Sequence, residues 1–120
     1  MGFRIRHGGK TLAYLSAVAG PSPEVDAAVA GADCVFFDGT FWSSDELVAA
    51  GLGTRRAEDM AHWPVGGSAG SLPYLRALSG RRILIHINNT NPLLAEDAPE
   101  RRALADAGIE LAQDGMELEL

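Results

Sequence analysis

The sequence predicts an α/β fold in which parallel strands alternate with helices. Residues 34–37 are a continuous apolar run of strand length, and residues 82–87 are a second strand-like segment that is apolar apart from Arg82 and His86. The segment between them has helical apolar spacing at Leu72, Leu75 and Leu78. Continuous apolar runs are typical of buried parallel strands, and a helix between them brings the second strand in parallel to the first. We therefore expect a right-handed connection, with both strands ending on one edge of the sheet.

Length and composition describe a folded protein. With 120 residues the chain can bury one core, so we interpret it as one domain or a piece of one. An apolar fraction of 47% with 22% charged residues is ordinary for a globular protein. No apolar run has the pattern of a signal peptide or the length of a bilayer span, so we expect no membrane contact and a cytoplasmic location.

Charge and cysteine content exclude two further classes of site. The net charge of −6 argues against a nucleic-acid partner, because phosphate binding is driven by clustered Lys and Arg. Cys34 is the only cysteine in the sequence, so there is no intramolecular disulfide and no cysteine cluster for zinc. Any metal site must therefore use histidine and carboxylate ligands.

The first third of the chain predicts a hairpin and a short helix. Residues 3–7 and 10–15 are strand-like segments around a Gly-Gly turn. Ser22 precedes a proline, which together start a helix that should end at Gly31.

Two capping boxes, a Ser or Asp followed three residues later by Glu, predict the starts of two later helices. The pairs are Ser43 with Glu46 and Asp97 with Glu100, and their helices should end near Gly51 and Gly108. The other predicted segments are a helical turn or two within residues 54–61, a helix within residues 68–78, and a closing hairpin of residues 109–112 and 116–120 around Asp114-Gly115.

Three polar side chains are predicted to meet at the carboxyl edge of the sheet. Asp38 follows the first buried strand, His86 lies at the end of the second, and His62 is in the loop that returns to the same edge. Clefts outside the carboxyl ends of parallel strands are the usual ligand sites in open α/β sheets. A carboxylate beside an imidazole fixes its tautomer and raises its basicity, which suits a proton relay or the support of a metal-bound histidine.

Each of these residues also has a purely structural interpretation. Asp38 can cap its own turn, His86 can be a hydrogen-bonded core histidine, and His62 can be an ordinary loop residue. These alternatives stay open on the sequence alone.

A polar run directly follows His86. Asn88, Asn89 and Asn91 are dense in donors and acceptors that would suit a substrate amide or carboxylate, and we take them as candidate substrate-binding residues. The same side chains can instead stitch a turn through Asx hydrogen bonds, and the two roles are compatible.

Three segments taken together resemble a known family: residues 32–42, the loop around His62, and residues 85–92. The similarity continues through residues 96–101 and 114–120, so it covers nearly the whole chain. This combination resembles the PqqB family of pyrroloquinoline quinone (PQQ) biosynthesis proteins, in the metallo-β-lactamase superfamily. The resemblance implies an αββα sandwich, with residues 1–120 as a single partial domain that forms its C-terminal half.

The resemblance also implies a role for each of the three residues. The histidine at the position of His86 is commonly a metal ligand in the superfamily, and the one at His62 lies beside metal and substrate. Asp38 matches an acidic residue that works with that loop histidine as a proton relay, so His62 and Asp38 are the candidate catalytic pair. The remaining metal ligands would lie outside this chain.

Two positions depart from the superfamily pattern. Ser16 stands near the position where binuclear hydrolases have a metal-bridging Asp, and a neutral hydroxyl is a poor replacement for a bridging carboxylate. A mononuclear site is therefore favoured over a two-zinc hydrolase. Ala61 stands before His62 where the family pattern usually has Gly, which bears on the backbone conformation of that loop.

The function implied by the resemblance is a step in PQQ biosynthesis. We expect an iron-dependent hydroxylase acting on a tyrosine-derived intermediate, since imidazole and carboxylate with open positions suit non-haem iron, with zinc as the alternative metal. A carrier for PQQ or its precursor and a metallo-hydrolase are the competing interpretations. We expect this chain alone to be inactive, to bind metal weakly, and to self-associate through an exposed apolar face.

Overall fold

Five strands form one mixed sheet in the computed structural model, which describes residues 2–120. The strands are β1 (Gly2–His7), β2 (Lys10–Leu15), β3 (Cys34–Asp38), β4 (Arg81–Ile85) and β5 (Glu110–Leu111). They lie in the order β1-β2-β3-β4-β5, with β1 antiparallel to β2 and every other neighbouring pair parallel. The predicted α/β fold and the parallel pairing of β3 with β4 are confirmed.

Four short helices connect these strands. They are α1 (Pro23–Val29), α2 (Glu46–Ala49), α3 (Ser71–Arg76) and α4 (Pro99–Asp106), with 3₁₀ turns at Glu58–Met60 and Pro92–Leu94. Within residues 2–120, no helix has the length and apolar character that crossing a bilayer requires.

The predicted hairpin and first helix are both present. Gly8 and Gly9, at φ of 57° and 78°, make the turn between β1 and β2 in a region of backbone space that glycine enters without strain. Ser22 caps α1 by accepting a hydrogen bond from Val25 N at 3.1 Å, with Pro23 at the first helical position. Local signals therefore determine this part of the chain.

Helices α1, α3 and α4 pack on the same face of the sheet. Consecutive parallel strands that lie side by side, joined by crossovers of one hand, leave their helices on one side. The buried core comprises, among others, Ala13, Leu15, Val35, Phe37 and Leu84 from the strands and Val25, Val29, Leu75 and Leu104 from the helices. This packing fixes the carboxyl ends of β3 and β4, where the polar side chains lie.

Neither predicted capping box forms as expected. The cap of α2 is Asp45 instead of Ser43, and its side chain makes no capping hydrogen bond. The glutamate half of the predicted box does form, because the Glu46 carboxylate accepts from Ser43 N at 3.5 Å and from Trp42 N at 2.9 Å. The cap of α4 is Ala98 rather than Asp97. A proline at the first helical position holds the preceding residue in extended backbone, so Pro99 decides where α4 begins.

The closing hairpin predicted for residues 109–112 and 116–120 is wrong. β5 has two residues and pairs in parallel with β4, and residues 112–120 lie outside the strands. Asp114 and Gly115 do form the expected turn, with Met116 N donating to Gln113 O at 3.0 Å. A two-residue strand offers too short a ladder for residues 116–120 to extend.

The face of the sheet opposite the helices carries partly exposed apolar side chains. Phe3 stacks on Tyr14 with ring centroids 5.5 Å apart, and Tyr14 lies 5.9 Å from Phe36. Phe3 and Ile5 are 54% and 56% exposed, which is unusual for large apolar residues on neighbouring positions of one strand face. We call Phe3, Ile5, Tyr14 and Phe36 the open sheet face.

We predict that the chain self-associates through the open sheet face. Sedimentation velocity should show a dimer or larger species whose population rises with concentration, because association removes exposed apolar area from water. The double substitution Phe3→Glu and Ile5→Glu should shift the equilibrium towards monomer.

The matched control is Leu52→Glu, because Leu52 is 64% exposed but lies outside the sheet. It should leave the association unchanged. A compact monomer of the unsubstituted chain at all concentrations would contradict the prediction.

Candidate metal centre

Asp38, His62 and His86 lie together at the carboxyl edge of the sheet. Asp38 is the last residue of β3, His86 directly follows β4, and His62 is in the loop between the 3₁₀ turn Glu58–Met60 and α3. One potential ligand atom from each residue lies within 4.8 Å of the others. The structure thus brings together the three residues that the sequence predicted to meet, although they are separated by 24 positions at each step along the chain.

The Asp38 carboxylate is fully buried and accepts four hydrogen bonds. Oδ1 accepts from the backbone N of Thr40 at 3.0 Å and from its hydroxyl at 2.6 Å. Oδ2 accepts from Val18 N at 2.9 Å and lies 2.7 Å from His62 Nδ1. Burying a carboxylate costs free energy unless its oxygens accept hydrogen bonds, so these four donors make the buried position of Asp38 tolerable. It caps its own turn and also orients an imidazole, so the turn-capping interpretation is confirmed and the role of Asp38 in a proton relay stays a prediction.

The His62 ring is fixed on three sides. Its Nδ1 faces the Asp38 carboxylate, the edge of its ring meets Phe41 at a centroid distance of 5.8 Å, and it stacks on His86 at 5.6 Å with 29° between the ring planes. Since an ionised carboxylate only accepts, the proton of this contact is on Nδ1. In the neutral imidazole the lone pair of His62 is therefore on Nε2.

His86 has a left-handed backbone. Its φ of 63° ends β4 at Ile85, two residues before the strand end that the apolar run predicted. Non-glycine residues are uncommon in this region, and histidine is one of those that enter it more often. The side chain is exposed rather than buried in the core, and its Nδ1 lies 2.8 Å from the Thr40 hydroxyl. The interpretation of His86 as a core histidine is therefore wrong.

The segments that carry Asp38 and His86 are joined beyond the strand ends. Gly39 N donates to Ile85 O at 2.8 Å, and Asn88 N donates to Thr40 O at 3.0 Å. A Cβ on Gly39 would lie 2.9 Å from Leu84 Cβ and 3.2 Å from Ile85 O. Only a glycine allows this close approach of the two segments.

The three candidate asparagines differ in their surroundings. Asn91 is buried, its Nδ2 donates to Gly39 O at 2.9 Å, and its Oδ1 accepts from Leu93 N at 2.9 Å. Its side chain thus stabilises the turn through hydrogen bonds. Asn88 donates to the Thr90 hydroxyl at 2.7 Å, and Asn89 is exposed. Substrate binding by these residues remains a prediction, for which Asn89 has the most accessible side chain.

Two residues of this network were missed by sequence reasoning. Thr40 contacts both Asp38 and His86 through its hydroxyl. Glu46 is buried and accepts from the Thr90 hydroxyl at 2.6 Å, which links the segment after β3 to the segment after β4. A Thr two residues after a strand-terminal Asp is typical of a turn, so the local sequence gives no sign that Thr40 contacts His86.

A family model described as "Beta-lactamase superfamily domain" matches residues 1–87. The chain belongs to the β-lactamase superfamily. Among superfamily relatives, "Coenzyme PQQ synthesis protein B" of Cupriavidus taiwanensis is 50% identical over 100% of this chain and 40% of its own length. The protein of the same name from Azotobacter vinelandii is 52% identical over 74% of this chain and 30% of its own.

A solved superfamily structure is also similar. It is the Zn²⁺-bound PqqB from Methylobacterium extorquens, with a TM-score of 0.93, 42% sequence identity, and coverage of 99% of this chain and 43% of that one. The resemblance to PqqB and the fold class that it implied are therefore confirmed. The chain spans about two fifths of the length of the relatives it matches, 40% in the Cupriavidus taiwanensis protein.

The donor set fits a metal ion with nitrogen ligands. Both Nδ1 atoms are engaged by oxygen partners, so the two imidazoles offer Nε2. Both Asp38 oxygens already accept two hydrogen bonds each, so the carboxylate orients the imidazoles instead of binding the ion itself. Even both imidazoles together would fall short of the four ligands of tetrahedral zinc, so further ligands are required whether or not His62 binds the ion.

Cys34 takes no part in this site. It is the first residue of β3, at the opposite end of the strand from Asp38, and it is buried. Burial raises the pKa of its thiol, and the positive charge of Arg81 opposes that effect only in part. A protonated, buried thiol is an inert core group.

We predict that Gly39→Ala lowers the free energy of unfolding by about 1–3 kcal/mol, because the added methyl group overpacks the contact with Leu84 and Ile85. Urea denaturation measures the change. In Gly20→Ala, the control, the added Cβ meets no atom within 4 Å, and we expect a change within about 0.5 kcal/mol. Equal effects of the two substitutions would refute the prediction.

Ala61 has a φ of 59°, so an alanine adopts the left-handed conformation for which the family pattern has glycine. We predict that Ala61→Gly stabilises the protein by up to about 1 kcal/mol, because glycine removes the steric cost. Ala30, at a φ of −56°, provides the control. Ala30→Gly should destabilise by about 0.5–1 kcal/mol, and thermal denaturation of both variants compares them. A loss of stability in Ala61→Gly as large as in Ala30→Gly would refute this account.

Proposed function

We propose that His86 contributes an imidazole to a metal site that serves a step in PQQ biosynthesis, with His62 and Asp38 acting beside the metal as a catalytic pair. The observation that carries the proposal is the convergence of these two rings with Asp38, with one ligand atom of each residue within 4.8 Å of the others. The similarity to PQQ synthesis proteins and to a zinc-bound PqqB supports the choice of pathway and the presence of a metal.

Each of the three residues has a distinct chemical role in this proposal. His86 offers Nε2 to the metal from an exposed position, because its Nδ1 faces the Thr40 hydroxyl. His62 holds a proton on Nδ1 against the Asp38 carboxylate, so its Nε2 can accept a proton from a bound substrate and return it. The buried carboxylate stabilises the imidazolium that forms when Nε2 takes up that proton.

We propose hydroxylation of a tyrosine-derived intermediate as the reaction, with iron as the metal. When bound, iron would supply activation of dioxygen, and zinc would supply only Lewis acidity. The chain's own contribution is to orient the substrate beside the metal, for which Asn88 and Asn89 are the accessible polar groups. Zinc remains the alternative metal, because the solved relative holds Zn²⁺.

Weak metal binding is expected of these 120 residues alone. The His86 imidazole alone leaves most of a coordination shell to water, and an open shell binds far less tightly than a complete one. The remaining ligands would come from the part of the relatives that this chain does not span.

We predict that competition titrations with a chromophoric chelator show only weak Zn²⁺ and Fe²⁺ binding by the chain. A chimera that carries residues 1–120 in place of the matching 43% of the Methylobacterium extorquens protein should bind one metal ion tightly. In the chimera, His86→Ala should weaken binding by more than the roughly 10–100-fold that loss of a ligand-orienting partner costs, since it removes a ligand itself. The control is His7→Ala, which changes an exposed histidine on β1 and should have no effect.

The identity of the reaction is tested with the iron-loaded chimera, dioxygen, a tyrosine-derived PQQ intermediate and an added two-electron reductant such as ascorbate, which reduces the second oxygen atom to water. Mass spectrometry should show addition of an oxygen atom, and His62→Ala should abolish turnover with only a small effect on metal affinity. Stoichiometric binding of the quinone without turnover would favour a carrier instead. Two tightly bound metals with phosphodiester cleavage would favour a hydrolase.

A further inference from the structure

The Thr40 hydroxyl lies between the Asp38 carboxylate and the His86 ring. Its Oγ1 is 2.6 Å from Asp38 Oδ1 and 2.8 Å from His86 Nδ1, and both distances are those of hydrogen bonds. The hydroxyl has one proton, so it can donate in only one of these two contacts.

The carboxylate decides which contact receives that proton. An ionised carboxylate is an acceptor only, and the Oδ1–Oγ1 distance is typical of a charge-assisted O–H···O⁻ bond. Thr40 therefore donates to Asp38. Its oxygen is then the acceptor in the second contact, and His86 Nδ1 must carry the proton that it donates.

We infer that Thr40 is a positioning residue that fixes His86 in the Nδ1–H tautomer and so leaves the lone pair on Nε2. The inference deepens the proposed function and rests on it for one point, the role of His86 as a metal ligand. Neutral imidazole binds a metal only through a nitrogen that has no proton, so the tautomer decides which nitrogen is available.

Thr40 is itself held in place by the segment that follows β4. Its carbonyl accepts from Asn88 N at 3.0 Å and from Asn91 Nδ2 at 3.2 Å, while its amide donates to Asp38. The hydroxyl is thus presented to His86 from a backbone that is bonded on both sides. The left-handed backbone of His86 brings the ring back towards this hydroxyl.

The Asp38 carboxylate consequently determines the tautomer of both imidazoles. His62 contacts Oδ2 directly, and His86 reaches Oδ1 through Thr40, so each ring has its proton on Nδ1. Neither ring can take the other neutral tautomer without leaving a hydrogen bond unmade at Asp38 or Thr40. The arrangement prepares two Nε2 lone pairs before any metal arrives.

The test measures the tautomer of His86 directly, in metal-free protein. Long-range ¹H–¹⁵N NMR correlations of the imidazole, recorded over a pH series to identify the neutral form, distinguish Nδ1–H from Nε2–H. The unsubstituted chain and Thr40→Ser, which keeps the hydroxyl, should both show Nδ1–H at His86. Thr40→Val removes the acceptor, so its ring should shift to a mixture with Nε2–H or to that form.

Zn²⁺ affinity of the full-length chimera provides the second readout. Thr40→Val should weaken it about 10–100-fold and Thr40→Ser should restore it, as for other groups that orient a ligand. Failure of the unsubstituted chimera to bind metal would refute the proposed function while leaving the tautomer assignment intact. Nε2–H at His86 in the unsubstituted protein, or unchanged Nδ1–H in Thr40→Val, would refute the inference, and the first of these needs no variant to fold.

Discussion

The whole site depends on the burial of one carboxylate. Asp38 has no exposed surface, and ionised carboxyl groups are tolerated inside proteins only when their oxygens are paired. The four donors come from three separate segments: the residues after β2, the residues after β3, and the loop before α3. Satisfying Asp38 therefore forces these segments together and sets the position and tautomer of His62. Removal of the carboxylate would leave Val18, Thr40 and His62 without their acceptor.

The strand order brings the hydrogen-bond partners of Asp38 and the His86 ring to one edge of the sheet. Because β2, β3 and β4 are neighbours and parallel, the chain leaves all three strands at the same edge. The sheet register places Asp38 opposite Ile85, so the residue that follows Ile85 is next to the carboxylate network. His86 turns into the left-handed region at that point, and the ring contacts Thr40 instead of continuing the strand.

The outline of the fold and the three central residues were predictable from the sequence. The largely apolar segments predicted β3 and β4. The geometry of a parallel crossover was then enough to place Asp38, His62 and His86 at the carboxyl edge of the sheet. Local cap signals were less reliable, since Pro99 overrides the box at Asp97 and α2 begins after Asp45 instead of Ser43. Thr40 was missed because its importance comes from a residue 46 positions away, which no local pattern reveals.

The bonds that join the segments after β3 and β4 have a consequence for folding kinetics. Asn91 contacts Gly39 across 52 positions, and the Thr40–His86 contact spans 46. Contacts of such long sequence separation require large loops to close first, so they form after local hairpins and helices. The arrangement of Asp38, Thr40 and the two imidazoles is therefore expected to be a late product of folding. A nascent or partly folded chain would hold the same histidines without the hydrogen bonds that fix their tautomers.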